Sequence, residues 1–205
     1  MIKNIIFDWS GVISDDFICV YKACMIVMKK LMNKEISLEQ FKRDFVLPYM
    51  NFWHKYLPKV TKEEIDKLYH PAIHEVGEPL AYSGIKKVLV ELKKNKINMI
   101  IVSSCVQKKL DKEVMDYGLA DIFQEVNGSV HNKAEEIHEI LKRNKFKPLE
   151  TAYLGDMDHD IEAGKAAGVK TMAACWGYQS KESLRKMNPD LLVESISDIS
   201  LKLLV

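Results

Sequence analysis

Apolar residues follow two different rhythms along this chain. From Gly84 onward, short apolar runs alternate with segments in which apolar residues recur every three or four positions. Ile85, Val88, Leu89 and Leu92 keep helical spacing and predict an amphipathic helix. Ile97 to Val102 is a short, mostly apolar run ending at Ser103-Ser104, which predicts a buried strand. Ala134, Ile137, Ile140 and Leu141 mark a second helix. Ala152-Tyr153-Leu154 predicts a strand that stops at Gly155-Asp156, followed by a helix from Ile161 to Ala167. Val169 to Ala173 and Leu191 to Val193 are strand-like, and Ser197 can cap a terminal helix. Such alternation predicts an α/β fold, a parallel sheet with helices on both faces.

Between residues 15 and 82 the alternation stops. Phe17 to Met32 is apolar nearly all round, which predicts a largely buried helix. Ser37 with Gln40 and Thr61 with Glu64 fit capping boxes and mark two further helix starts. Pro48, Pro58 and Pro71 punctuate the block. The pattern therefore predicts a core formed by residues 1–14 and 83–205, with a helical cap, residues 15–82, inserted after the first strand. That cap is expected to lie over the carboxyl edge of the sheet.

The first strand begins near Ile2, and Ile5-Ile6-Phe7 runs into Asp8-Trp9-Ser10-Gly11. An apolar run that stops on a carboxylate places Asp8 at the carboxyl end of a buried strand, where open α/β sheets bind their ligands. A carboxylate there suits a nucleophile or a metal ligand. In a parallel sheet three more elements converge on the same edge: Ser103 after a core strand, Lys133 before a helix, and Asp156 with Asp160 after a later strand. Taken singly, these residues are ordinary turn formers, caps or surface charges. Asp156, Asp158 and Asp160 do not follow the twelve-residue Ca²⁺-loop pattern, and Asp158 is read as a plain loop residue.

In order along the chain, these stretches resemble the four motifs of the haloacid dehalogenase superfamily of hydrolases. They are Asp8-Trp9-Ser10-Gly11-Val12, the strand closing on Ser103, Asn132-Lys133-Ala134-Glu135, and Gly155-Asp156-Met157-Asp158-His159-Asp160. The resemblance runs from Met1 to about Ser200, with the inserted block matched only in position and helical character. It is nearest to the phosphoglycolate-phosphatase-like branch, whose helical cap sits between the first and second motifs. It implies a Rossmann-like three-layer core and a Mg²⁺-dependent phosphatase of small phosphomonoesters. In that reading Asp8 is the nucleophile, and Asp8, Asp156 and the Ser10 backbone carbonyl hold Mg²⁺. Ser103 and Ser104 bind the phosphate with nearby backbone N–H groups, Lys133 offsets charge on Asp8 and the phosphoryl group, and Asp160 orients Lys133 or the metal's waters.

One position departs from the family pattern. Its phosphatases carry a second Asp where this chain has Ser10, and that Asp protonates the leaving alcohol and then activates water. A serine hydroxyl does not ionise near neutral pH, and general acid–base help is worth roughly 10²–10⁴-fold. The implied enzyme is therefore slow or narrow, unless Asp15, Asp16 or a cap residue such as His54 takes over. Two alternatives stay open: a hydrolase of carbon–phosphorus or carbon–halogen bonds, or a weakly catalytic phosphate-binding or regulatory protein. A carbon–phosphorus hydrolase of this superfamily needs a cap lysine, for which Lys22, Lys29 and Lys30 are available.

Composition adds mainly exclusions. A net charge of +1 over 205 residues gives no reason to expect nucleic acid or an anionic membrane as partner. No apolar run approaches the roughly 20 residues of a bilayer span, and no signal peptide precedes the first strand. Cys19, Cys24, Cys105 and Cys175 form no metal-type spacing and read as reduced thiols of a cytoplasmic protein. A small phosphorylated metabolite is the expected partner, for a monomer or homodimer. His70 and His74 stand four apart, but Pro71 between them predicts a new helix start rather than a metal pair. The Trp176-Gly177-Tyr178 turn also follows a strand and is a candidate pocket wall.

Overall fold

The computed structural model describes residues 1–200. It divides into two compact units, Met1–Asp15 with Leu80 onward, and Asp16–Pro79.

The first unit is built on a six-stranded parallel sheet. Its strands are β1 (Asn4–Phe7), β4 (Asn98–Val102), β5 (Glu125–Asn127), β6 (Thr151–Gly155), β7 (Lys170–Ala174) and β8 (Leu191–Val193). They lie in the order β5-β4-β1-β6-β7-β8. The chain thus builds outward from β1 on one side and then returns to β1 and builds outward on the other, which puts the topological switch at β1. Alternation along β1 divides the core into two layers. Ile5 and Phe7 face one cluster with Val88, Leu89 and Leu92 of helix α5 (Ile85–Lys94) and Leu110 and Val114 of helix α6 (Gln107–Asp116). Ile6 faces the other, with Ile137 and Ile140 of helix α7 (Lys133–Asn144) and Ala163 of helix α8 (Asp158–Ala166). This is the three-layer α/β arrangement that the alternating pattern predicts. A short antiparallel ladder, β2 (Ser14–Asp15) with β3 (Leu80–Ala81), closes the two points where the chain leaves and re-enters this unit.

The second unit holds four helices: α1 (Phe17–Met32), α2 (Leu38–Asp44), α3 (Tyr49–Tyr56) and α4 (Lys62–Val76). Ser37 caps α2 by accepting from the Gln40 amide, and Thr61 with Glu64 forms a complete capping box on α4. An aromatic cluster fills the interior, with Phe41 5.0 Å from Phe45 and 5.2 Å from Phe52 between ring centroids. Two expectations need correction here. Helix α4 runs unbroken through Pro71, which lies on its solvent face, where water can serve the carbonyl that a proline leaves without a donor. His70 and His74 accordingly share one helix, and both are exposed. Helix α1 is not buried all round either: Ala23, Cys24, Val27 and Met28 face inward while Ile18 and Leu31 are exposed.

Helix α6, strand β5 and the short helix α9 (Lys181–Lys186) carry too few apolar positions to show a period. The expected terminal helix begins at Asp198, and its remainder lies outside the described residues. Among the described residues, no helix is long and apolar enough to cross a membrane.

Candidate active site

Strands β1 and β6 pair in register from Asn4 with Thr151 to Phe7 with Leu154, so their carboxyl ends deliver Asp8 and Asp156 side by side. Helix α8 follows β6 and presents Asp160 from its first turn. Lys133 is the first residue of α7, whose start is capped by the Asn132 side chain accepting from the Glu135 amide. All four side chains are buried. Oxygens of Asp8, Asp156 and Asp160 lie within 4.8 Å of one another.

The three carboxylates are served very unequally. Asp160 is fully enclosed and takes four donors: Lys133 Nζ at 2.7 Å and the Tyr153 hydroxyl at 2.9 Å on Oδ1, and the Asp156 and Met157 amides at 3.2 and 3.1 Å on Oδ2. Burial alone would raise its pKa, but Lys133 and the hydrogen bonds outweigh that and hold it below the usual carboxylate range. Asp8 takes two donors, the Trp9 amide at 2.8 Å on Oδ1 and Lys133 Nζ at 2.9 Å on Oδ2. Its pKa is raised by burial, with Lys133 opposing and Asp160 adding to the shift. Among the described residues, Asp156 takes a single donor, the Tyr178 amide at 2.6 Å on Oδ2. Burial pushes its pKa well above the carboxylate range, and the charges of Asp160 and Asp8 push it further. Lys133 loses by burial, but its two carboxylate neighbours more than restore it and hold its ammonium charged.

The residues around Asp156 are shaped to its carboxylate. A Cβ on Gly11 would stand 2.2 Å from Asp156 Oδ2, as would one on Gly177. Both backbones thus approach the carboxylate more closely than any side-chain-bearing residue allows, and Gly11 also takes the left-handed φ of 73°. The Trp176-Gly177-Tyr178 turn, expected as a pocket wall, supplies an amide to Asp156, and Trp176 Nε1 donates to the Val12 carbonyl at 3.2 Å. Gly11 lies in the first motif and was visible there. The closeness of Gly177 had no sequence signal beyond its place after a strand.

Of the other candidates, Ser103 is buried at the end of β4, where its hydroxyl accepts from the Cys105 amide at 3.2 Å. Ser104 is exposed beside it. Ser10 is half-buried, two residues after Asp8, and bridges to Ser14 through the backbone. Asp158 keeps a local role, its carboxylate taking the His159 amide and its own amide donating to Gln179. His54 is exposed on α3 and lies 3.1 Å from the Val60 carbonyl.

The chemistry of this donor set suits a hard divalent cation. Three buried carboxylates cluster about the Lys133 ammonium, and the least served of them, Asp156, adjoins Asp8 at the carboxyl end of the sheet. Burying an unpaired carboxylate costs several kcal/mol, which an oxygen-seeking cation such as Mg²⁺ would offset.

The family model for haloacid dehalogenase-like hydrolase matches residues 5–174. The pyrophosphatase PpaX of Bacillus velezensis is 29% identical over 171 residues, 78% of this chain and 79% of that protein. The phosphoglycolate phosphatase of Synechococcus elongatus is 26% identical over 120 residues, 58% of this chain and 57% of that enzyme, so the match spans little more than half of that relative. In structure, a haloacid dehalogenase-like family hydrolase of Streptococcus pneumoniae superposes with a TM-score of 0.84 over 98% of both chains, at 19% identity. That last likeness is one of fold.

Proposed function

We propose that this chain, which belongs to the haloacid dehalogenase-like hydrolases, is a Mg²⁺-dependent phosphatase of small phosphomonoesters acting through Asp8. The observation that carries the reading is the unequal service of its buried carboxylates. Asp160 has its full set of donors and holds Lys133, whereas Asp8 and Asp156 are left with oxygens for a ligand. Asp8, Asp156 and the backbone carbonyl of Ser10 would hold the metal, which screens the repulsion between the phosphoryl group and the carboxylates.

In the first step an Asp8 carboxylate oxygen attacks phosphorus, and the bond from phosphorus to the ester oxygen breaks. Lys133, 2.9 Å from Asp8 and tethered by Asp160, offsets charge as the phosphoryl group arrives. Ser103 and Ser104, with the backbone amides of their turn, would hold the phosphoryl oxygens. The departing alkoxide takes its proton from water, because Ser10 has no acidic group to give. Water then attacks the aspartyl-phosphate, frees inorganic phosphate and regenerates Asp8. Neither half has the second Asp of the family's phosphatases, so turnover is slow, and fastest for esters with good leaving groups.

The helical unit, Asp16–Pro79, we read as the substrate-selecting cap. Relatives named for phosphoglycolate and pyrophosphate hydrolysis support a small anionic phosphate compound as substrate. The carbon–phosphorus alternative gains no support: Lys22, Lys29 and Lys30 are all exposed around an open groove of about 510 Å³ in the helical unit, not withdrawn from water as an activated amine is. Ser10 does favour one second reading, a protein that binds phosphate esters without turning them over.

A screen of phosphate monoesters and phosphonates, with and without Mg²⁺, tests the proposal. Mg²⁺-dependent phosphate release that disappears in Asp8→Asn is the expected result. Binding of esters without release would favour the second reading, and release unaffected by Asp8→Asn would remove the mechanism.

A further inference from the structure

Two residues at the end of α6 belong to none of the motifs above, yet both grip the loop that carries Asp8. Glu113 is buried and accepts from Trp9 Nε1 at 2.5 Å, with Lys109 Nζ 3.2 Å from its other oxygen. Tyr117 stacks on the Trp9 indole, ring centroids 5.6 Å apart and planes within 11°. The Tyr117 hydroxyl also lies 2.9 Å from Ser14 Oγ, at the far end of the same loop.

Trp9 is fully buried and sits at the hub of that loop. Its amide holds Asp8 Oδ1 at 2.8 Å. Its carbonyl accepts the amides of Val12, Ile13 and Ser14 at 3.2, 2.8 and 3.0 Å. Whatever fixes the indole therefore fixes the carboxylate before it and the turn after it. A packed apolar pair would bury the ring as well, without the cost of enclosing a carboxyl group. A hydrogen bond to the indole adds what packing alone does not: it sets the rotation of the ring plane. Helix α6 starts just after the Ser103–Cys105 turn, so one rigid element adjoins both the candidate nucleophile loop and the candidate phosphate turn.

We propose that Glu113 and Tyr117 are positioning residues that clamp Trp9, and through it hold Asp8 and Ser10 in register with the Ser103 turn. The proposal rests on the reading of Asp8 as the nucleophile. Displacements near 1 Å in such a constellation cost on the order of 10²-fold in rate, so a partial loosening falls below that.

Three variants separate positioning from mere packing. Trp9→Phe keeps the stacked ring and removes the N–H. Glu113→Leu removes the acceptor, and Glu113→Gln returns one. Trp9→Phe and Glu113→Leu are each expected to lower kcat about tenfold with KM changed less than about twofold, and the double variant should be no slower than the worse single one. Glu113→Gln should recover most of the loss. The indole proton of Trp9 in a ¹H–¹⁵N spectrum should move upfield in Glu113→Leu and return toward the parent position in Glu113→Gln. Unchanged kcat with a lowered melting temperature would overturn the clamp, as would losses that simply multiply in the double variant. Should Glu113→Leu fail to fold, the kcat and KM of Trp9→Phe decide alone. A parent with no Asp8-dependent turnover would refute the nucleophile reading instead, and the clamp would then be judged by calorimetric titration of Mg²⁺. A roughly tenfold weaker Mg²⁺ affinity in both variants would support it, and unchanged affinity would reject it.

Discussion

Asp44 in the helical unit and Asp156 in the sheet unit are both closed off from solvent, at 7% and 1% exposure, but their surroundings treat them in opposite ways. Asp44 receives Lys55 Nζ at 2.7 Å on one oxygen and the Tyr56 hydroxyl at 2.5 Å on the other. Lys55 and then Tyr56 hold its pKa below the carboxylate range, so its charge is stable where it lies. Asp156 has one amide and two carboxylate neighbours, and its pKa goes the other way. A carboxylate whose partners are all built into the chain is part of the scaffold. One enclosed by glycine backbones and left short of donors makes a seat for a ligand that arrives from outside.

The comparison breaks most visibly if the two residues are exchanged in role. Asp156→Asn should cost on the order of 10²–10³-fold in Mg²⁺-dependent kcat/KM, the equivalent of several kcal/mol of lost charge stabilisation. The same change should stabilise the metal-free protein by about 1–3 kcal/mol, because it removes an unpaired buried charge. Thermal unfolding with and without Mg²⁺ reads both effects, and a metal-free Asp156→Asn protein less stable than the parent would contradict the account.

Asp44→Ala should act in the opposite sense, destabilising by about 1–3 kcal/mol with the Mg²⁺ response unchanged. Most of that belongs to the Tyr56 hydrogen bond, since Lys55 is exposed and such pairs contribute about 1 kcal/mol or less. The pH dependence follows from the sign of the shift. A carboxyl group with a depressed folded pKa gives stability that is present above its unfolded value of 3.8 and lost as pH falls through the lower folded value. Denaturant unfolding from pH 6 to pH 2, parent against Asp44→Asn, should show the parent's advantage shrinking only below about pH 4.

The smallest expected effect lies at Ser10. Ser10→Asp keeps the backbone carbonyl and adds the missing acid–base group. A tenfold gain in kcat/KM on alkyl phosphates, about 1.4 kcal/mol, is expected, with a smaller gain on p-nitrophenyl phosphate. Equal rates in parent and variant on alkyl esters would mean that another group already supplies the proton.

The sheet side of this contrast is legible in the sequence, and Asp44 is not. Asp8, Asp156 and Lys133 each flank an apolar run or a helix start, and a parallel sheet has only one edge on which such ends can meet. Strands β1, β4, β6, β7 and β8 and helices α1, α5, α7 and α8 follow from periodicity, and the starts of α2 and α4 from their caps. What escaped was set by tertiary contact. Helix α6 buries only Leu110, Glu113 and Val114, and a glutamate does not register in an apolar pattern. Glu113 finds Trp9 across 104 positions of sequence, and Tyr178 finds Asp156 across 22. Pro71 misled because proline's cost in a helix depends on the face it occupies, which a linear sequence hides.

The most direct test is to look for the covalent intermediate itself. With Ser10 where the family's phosphatases carry their acid–base Asp, the proposed mechanism slows the attack of water, so a phosphoryl group on Asp8 should form with p-nitrophenyl phosphate and Mg²⁺ faster than it leaves. Rapid acid quench followed by peptide mass spectrometry should find one added phosphoryl group on the peptide carrying Asp8. It should be absent without Mg²⁺, absent in Asp8→Asn, and shorter-lived in Ser10→Asp. Phosphate release by the parent with no phosphoryl group on Asp8 at any quench time, or with one on another residue, would contradict the account.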